Sequence, residues 1–210
     1  MATVVEAWAD LEEPFPTTEP IEPPLKPVLP PAKLTFEQAN QVAAGRIFEL
    51  IEGRIVYKMP DDKHSDVQGI LSGELFVYFK ANPIGRVRPE FMLRLWPDNE
   101  YEGRMPDISV ILNESFKEER YGTRAPDVAI EIVSQYDRWN DLFAKAELYL
   151  EKGSRVVWIV DPYQKGVMVI TSNERIWVSG ILTCPEVLPG FSINVQDIFS
   201  WPSAPAKATE

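Results

Sequence analysis

The chain has 210 residues, 45% hydrophobic and 25% charged, which fits one globular domain with tails. One cysteine, Cys184, rules out an internal disulfide. The lack of a basic, apolar leader or of any apolar run near ~18 residues argues against a signal peptide or membrane helix, so the expected location is cytoplasmic. A net charge of −11 weighs against tight duplex binding, because Lys and Arg carry phosphate affinity.

Residues 1–33 hold eight of the 19 prolines and six acids against two lysines. Fixed φ and missing donors there predict a disordered or extended tail. A single domain is expected over 34–202, with a short frayed end at 203–210. Thr35 is positioned to cap a helix to about Ala44. Phe48–Lys58 reads as a hairpin turning at Glu52-Gly53. Ser65-Asp66 would cap a helix to about Lys80, with Ile70, Leu71, Leu75, Phe76 and Phe79 at helical spacing. Arg86–Trp96 is a strand candidate, and Pro89 marks it as an edge or a bulge. Its arginines Arg86, Arg88 and Arg94, with Arg104, form the densest basic region.

Asp107–Leu112 and Val128–Val133 are short β-branched runs suited to central strands buried on both faces. Trp139–Lys152 reads as a helix closed by Gly153. Arg155–Asp161 is a further buried strand, and 167–171 with 175–178 a hairpin. Trp158, Trp177 and Phe191 read as core. The order implies an α/β domain around a mixed central sheet flanked by helices.

Side chains alternate along a strand, so Asp127, Ala129, Glu131 and Val133 share one face of the second run. Glu131 is then an acid inside an apolar strand, and a buried carboxylate needs a cation, a metal or a hydrogen-bond network. Asp107 poses the same demand at the head of its own strand. Two such acids side by side repel, and a Mg²⁺ (or Mn²⁺) held by both relieves that. Lys145 follows Asp141 and precedes Tyr149 by one turn each, on one helical stripe. From a helix packed on the sheet it would reach toward Glu131, to orient water or offset charge on phosphorus. The competing readings are structural. Asp107 would start a strand, Glu131 would pair with Arg88 or Arg104, and Asp141 with Lys145 would form a surface ion pair.

These segments resemble the PD-(D/E)XK nuclease superfamily and, within it, the bacterial Uma-type restriction-endonuclease family. The matching pieces are Phe48-Glu-Leu-Ile-Glu-Gly-Arg-Ile-Val, His64 opening a helix, Pro106-Asp107, Pro126-Asp-Val-Ala-Ile-Glu-Ile-Val-Ser134, Asp141 with Lys145 and Tyr149, and Gly153 leading to Val157-Trp-Ile-Val-Asp-Pro162. The resemblance spans about Phe36 to Phe199. It implies a restriction-endonuclease-like core and a metal-dependent endonuclease acting on DNA, with Asp107, Glu131 and Lys145 as the catalytic set. Val133 departs from the pattern, which places lysine two residues after the second acid; in some members that lysine sits on the neighbouring helix, as Lys145 would. Accessory roles are expected for His64, for Glu49 or Glu74 as a further acid, and for Asp141 as a support of Lys145. Duplex cutting would call for a homodimer. The alternative is a non-catalytic binding module on the same fold, with a relic metal site.

Overall fold

The computed structural model describes residues 32–135 and 137–201. Apart from Ala32 and Lys33, the expected tails lie outside these residues. Thr35 begins α1 (Phe36–Ala43) with a capping box. Its hydroxyl accepts from the Gln38 N–H, and the Gln38 side chain accepts from the Thr35 N–H. The hairpin follows as β1 (Phe48–Ile51) and β2 (Arg54–Tyr57). Its two turn residues, Glu52 and Gly53, have φ of 51° and 78°, the pairing a tight two-residue turn requires. A Cβ on Gly53 would stand 2.6 Å from the Lys33 Cβ, so glycine is needed for space as well as for conformation.

Helix α2 (Asp62–Ala81) starts four residues earlier than Ser65-Asp66 suggested. Asp61 is met first and is an equally good cap, accepting from the His64 N–H at 2.8 Å. The buried stripe is Val67, Leu71, Leu75, Tyr78 and Phe79, whereas Phe76 is exposed. The strand expected over Arg86–Trp96 is cut short. β3 spans Gly85–Pro89, and Glu90, at φ 48°, turns the chain away. Beyond it, Leu93 makes only isolated bridges to Arg104 and Gly122.

β3 is one edge of a six-stranded sheet ordered β3-β4-β5-β6-β7-β8. The others are β4 (Ile108–Leu112), β5 (Val128–Ile132), β6 (Val156–Asp161), β7 (Gly166–Ile170) and β8 (Arg175–Val178). Only β5 and β6 run parallel, and α3 (Trp139–Glu151) makes the crossover between them, as a parallel pair demands. The expected mixed sheet flanked by helices is therefore present.

Alternation in β5 divides the core. Val128, Ile130 and Ile132 pack with Leu71 and Leu75 of α2, while Ala129 and Val133 pack with Leu142, Ala146 and Tyr149 of α3. Each fully buried large apolar side chain contributes about 1.5–3 kcal/mol. β9 (Ile181–Cys184) and β10 (Leu188–Asn194) form a further hairpin that completes the α2 side, ending in a 3-10 turn at Val195–Phe199. α1 and the first hairpin enclose a smaller cluster around Phe36, Phe48 and Leu50. Trp158 and Phe191 are core as expected, but Trp177 on the β8 edge is 38% exposed. Among the described residues, no helix is long and apolar enough to cross a membrane.

Candidate active site

Asp107 stands just ahead of β4, which pairs antiparallel with β5 from Ile108↔Ile130. One further step of that register sets Asp107 opposite Glu131, at a separation typical of cross-strand neighbours. Both carboxylates thus lie on one face, at the carboxyl end of β5. Asp107 Oδ2 accepts from the Ile132 N–H at 2.6 Å and lies 3.2 Å from His64 Nε2. Its Oδ1 takes the Lys58 ammonium, which also donates to the Met105 carbonyl at 2.8 Å.

Glu131 is completed from α3. The Tyr149 hydroxyl donates to Oε1 at 2.8 Å, and Lys145 Nζ is 3.3 Å from Oε2. Leu142, Ala146 and Tyr149 bury one stripe of α3 against the sheet, and Lys145 lies on the rim of that stripe. Its ammonium also bonds Glu49 Oε2 at 2.9 Å. Glu49 arrives on β1, fixed by the Met105 N–H donating to its Oε1 at 3.0 Å. A pair of backbone bonds between Leu50 and Gly103, 2.9 and 2.8 Å, docks the hairpin against the same segment. Three carboxylates, two ammonium groups and His64 therefore meet around one cavity of about 180 Å³, and all three acids are 2% exposed.

Their titrations are driven apart. Burial raises the Asp107 carboxyl, but the Lys58 ammonium and the His64 hydrogen bond outweigh it and hold the group well below the usual carboxylate range. For Glu49, burial is again overcome, by Lys145 and then Lys58, and the pKa is lowered. Glu131 goes the other way. Burial raises it more than Lys145 and Lys58 lower it, and the charges of Asp107 and Glu49 add to the rise. Burial depresses Lys145, but Glu131 and Glu49 more than reverse that and the ammonium is held well above its ordinary value. Lys58 is raised in the same way, burial being overcome chiefly by Asp107. Neighbouring carboxyls with pKa values pushed in opposite directions are the arrangement that separates a proton carrier from a permanent anion.

Of the residues singled out from sequence, Asp107, Glu131, Lys145, Glu49 and His64 are brought together. Glu74 and Asp141 are exposed and outside the cavity lining. Asp141 occupies the first turn of α3, where an acid complements the helix dipole, and Lys145 turns to Glu49 and Glu131 instead. Glu131 does not pair with Arg88 or Arg104; Arg104 binds Glu102 at 2.7 Å, and Arg88 lies over the Phe91 ring. The other arginines of the basic region also lie on aromatic rings, Arg86 over Phe116 and Arg94 over Phe36.

Sequence reading missed Lys58 and Tyr149's bond to Glu131. Tyr149 was legible as the third member of the α3 stripe. Lys58, at the end of an exposed hairpin strand, carried no local sign of burial. Among the described residues, no three acids, histidines or cysteines already form a metal-ligating group. The donor chemistry nonetheless suits a hard divalent ion, because Glu49, Asp107 and Glu131 bring carboxylate oxygens to one cavity.

The family model "Uma2: Putative restriction endonuclease" matches residues 35–196. The fold is similar to that of a putative nuclease belonging to DUF820 from Anabaena variabilis, at 23% identity and a TM-score of 0.68, over 80% of this chain and 98% of that one. A slighter likeness, with a TM-score of 0.37 and 13% identity, is to the DrdV–DNA complex, over 68% of this chain and 11% of that one. No match is found among curated proteins.

Proposed function

Because the chain belongs to the Uma2 putative restriction endonuclease family, we propose that it is a metal-dependent endonuclease that hydrolyses DNA phosphodiester bonds at the cavity between β4, β5 and α3. The observation that carries this reading is the convergence of Glu49, Asp107, Glu131 and Lys145, from four separate segments of the chain, at one buried polar site. Burying three carboxylates is costly unless they serve a cation. Asp107 and Glu131, with Glu49 beside them, would hold a Mg²⁺ or Mn²⁺, which when bound supplies Lewis-acid polarisation of the scissile phosphate.

The chain's own groups do the rest. Lys145, held between two acids, presents a fixed positive charge to the phosphate oxygens and orients the attacking water. His64 fixes the rotamer of Asp107 and acts through it as a positioning residue. Cutting both strands of a duplex needs two such sites, so a homodimer belongs to the same reading.

The test is cleavage of single- and double-stranded DNA with Mg²⁺ or Mn²⁺, alongside calorimetric titration of each ion. Cleavage should require the ion, fall by about 10²–10³-fold in Lys145→Ala and vanish in Asp107→Ala. Full activity in Asp107→Ala, or no ion binding by the wild type, refutes the assignment. A non-catalytic binding module is the second reading, favoured by Val133 at the superfamily's lysine position and by the −11 net charge. DNA binding without ion-dependent cleavage would decide for it.

A further inference from the structure

Lys58 stands where a cation serving Asp107 would bind. Asp107 Oδ2 is already shared by the Ile132 N–H and His64 Nε2, so Oδ1 is the oxygen left to meet a further cation, and the Lys58 ammonium holds it. A divalent ion and the Lys58 ammonium cannot share that oxygen, because Asp107 is only 2% exposed and two cations beside it would be poorly screened. The side chain has a way out. Lys58 follows β2 at the cavity rim, its side chain is 15% exposed, and the next residue, Met59, is 78% exposed. A lysine suits such exchange, being a point charge on a flexible stem.

The geometry points to Lys58 as a resident counter-cation, which pairs with Asp107 while the ion is absent and swings to the cavity mouth when a divalent ion takes Oδ1. Ion affinity is then the difference between two competing cations on one oxygen. The apo protein keeps its acids apart and neutralised, and the loaded protein gains a freed ammonium at the entrance through which a phosphate would arrive. The inference rests on the reading that Asp107 and Glu131 hold a divalent ion.

Mn²⁺ titration calorimetry on the full chain tests it, comparing wild type with Lys58→Gln and Lys58→Arg. Removing the competitor removes one charge-assisted hydrogen bond that the ion must break. Lys58→Gln should therefore bind Mn²⁺ about 10–100-fold more tightly, and Lys58→Arg, a stronger carboxylate partner, less tightly than wild type. Reductive methylation of the wild-type chain, read residue by residue by mass spectrometry, supplies a measurement that needs no variant to fold. Lys58 should label slowly without Mn²⁺ and faster at saturation, against a constant rate at exposed Lys80. Wild-type binding with an unchanged or weaker affinity in Lys58→Gln, or Lys58 labelling indifferent to Mn²⁺, overturns the displacement and leaves the ion site standing. No Mn²⁺ binding by either chain overturns both.

Discussion

Replacing Tyr149 by Phe removes one oxygen atom from the interior and leaves the ring where it is. Tyr149 is fully buried on the inner stripe of α3, and its hydroxyl donates to Glu131 Oε1 at 2.8 Å. Burial, and then the charge of Glu131, push the phenol well above its ordinary pKa, so it is a donor through the neutral range. The substitution makes almost no cavity, so the cost reduces to the hydrogen bond and to what Glu131 loses with it. A bond to a charged group contributes about 1.5–3 kcal/mol, and one to a neutral acceptor about 0.5–1.5 kcal/mol. Tyr149→Phe should therefore lower unfolding stability by about 1.5–3 kcal/mol where Glu131 is ionised. It should also raise the pKa of Glu131 further, because a donor to the charged form has gone. The sign of the pH dependence follows. As pH falls and Glu131 takes up a proton, the lost bond is one to a neutral group, and the gap between the two proteins narrows. Urea unfolding of both at a series of pH values measures this directly. A difference below about 0.5 kcal/mol, or one that does not shrink on acidification, would refute the hydroxyl's role as the support of an ionised Glu131.

Leu71→Ala, at a position with no solvent exposure between α2 and the sheet, should cost about 2–5 kcal/mol in urea unfolding. Phe76→Ser, further along the same helix but exposed, should stay within about 0.5 kcal/mol. The folded pKa values of Lys145 and Lys58 are raised, so the stability their ion pairs add is fully present below the ordinary lysine value near ~10.4 and is lost as pH rises through the folded values. The urea midpoint should accordingly decline only above about pH 10.5, and less steeply in Lys145→Met. Tyr163, whose hydroxyl donates to Asp61 at 2.5 Å, has its pKa pushed up to about 12, chiefly by that hydrogen bond. A phenolate absorbance titration should show one late step near that pH that is missing in Tyr163→Phe.

How much of this was legible depended on how large an energetic anomaly each residue makes in its own segment. β5 was readable because period-two alternation assigns Glu131 to a face that α3 and Ala129 make apolar, and a carboxylate there demands partners. The first hairpin was readable because Glu52-Gly53 can adopt positive φ at both turn positions. The β9–β10 hairpin was not. β10 breaks its own register between Leu188 and Ser192, with Gly190 at φ 81°, so the alternation of Leu188, Phe191 and Ile193 is out of step. Arg86–Trp96 read as one strand because nothing in the sequence marks Glu90 for a left-handed turn. That turn is held from outside, by the Glu90 N–H donating to the Asp107 carbonyl at 3.0 Å.

The site divides along the same line, with acids legible and their cations much less so. An acid in an apolar strand has a short side chain and a fixed direction, so its burial can be read from its neighbours. A lysine at the end of a hairpin has a long, flexible stem, and its destination is decided by where the hairpin docks. That docking rests on backbone bonds between Leu50 and Gly103, which leave no trace in side-chain pattern. The consequence reaches function. The pattern of acids identifies a site that would serve a cation, but the two lysines determine which cation holds it at rest. Lys145 bridges Glu49 to Glu131 from a helix anchored by Leu142, Ala146 and Tyr149, so it is fixed relative to both. Lys58 has one carboxylate, one carbonyl and an open side toward solvent. A group so placed is the member of the cluster that can leave without dismantling the rest.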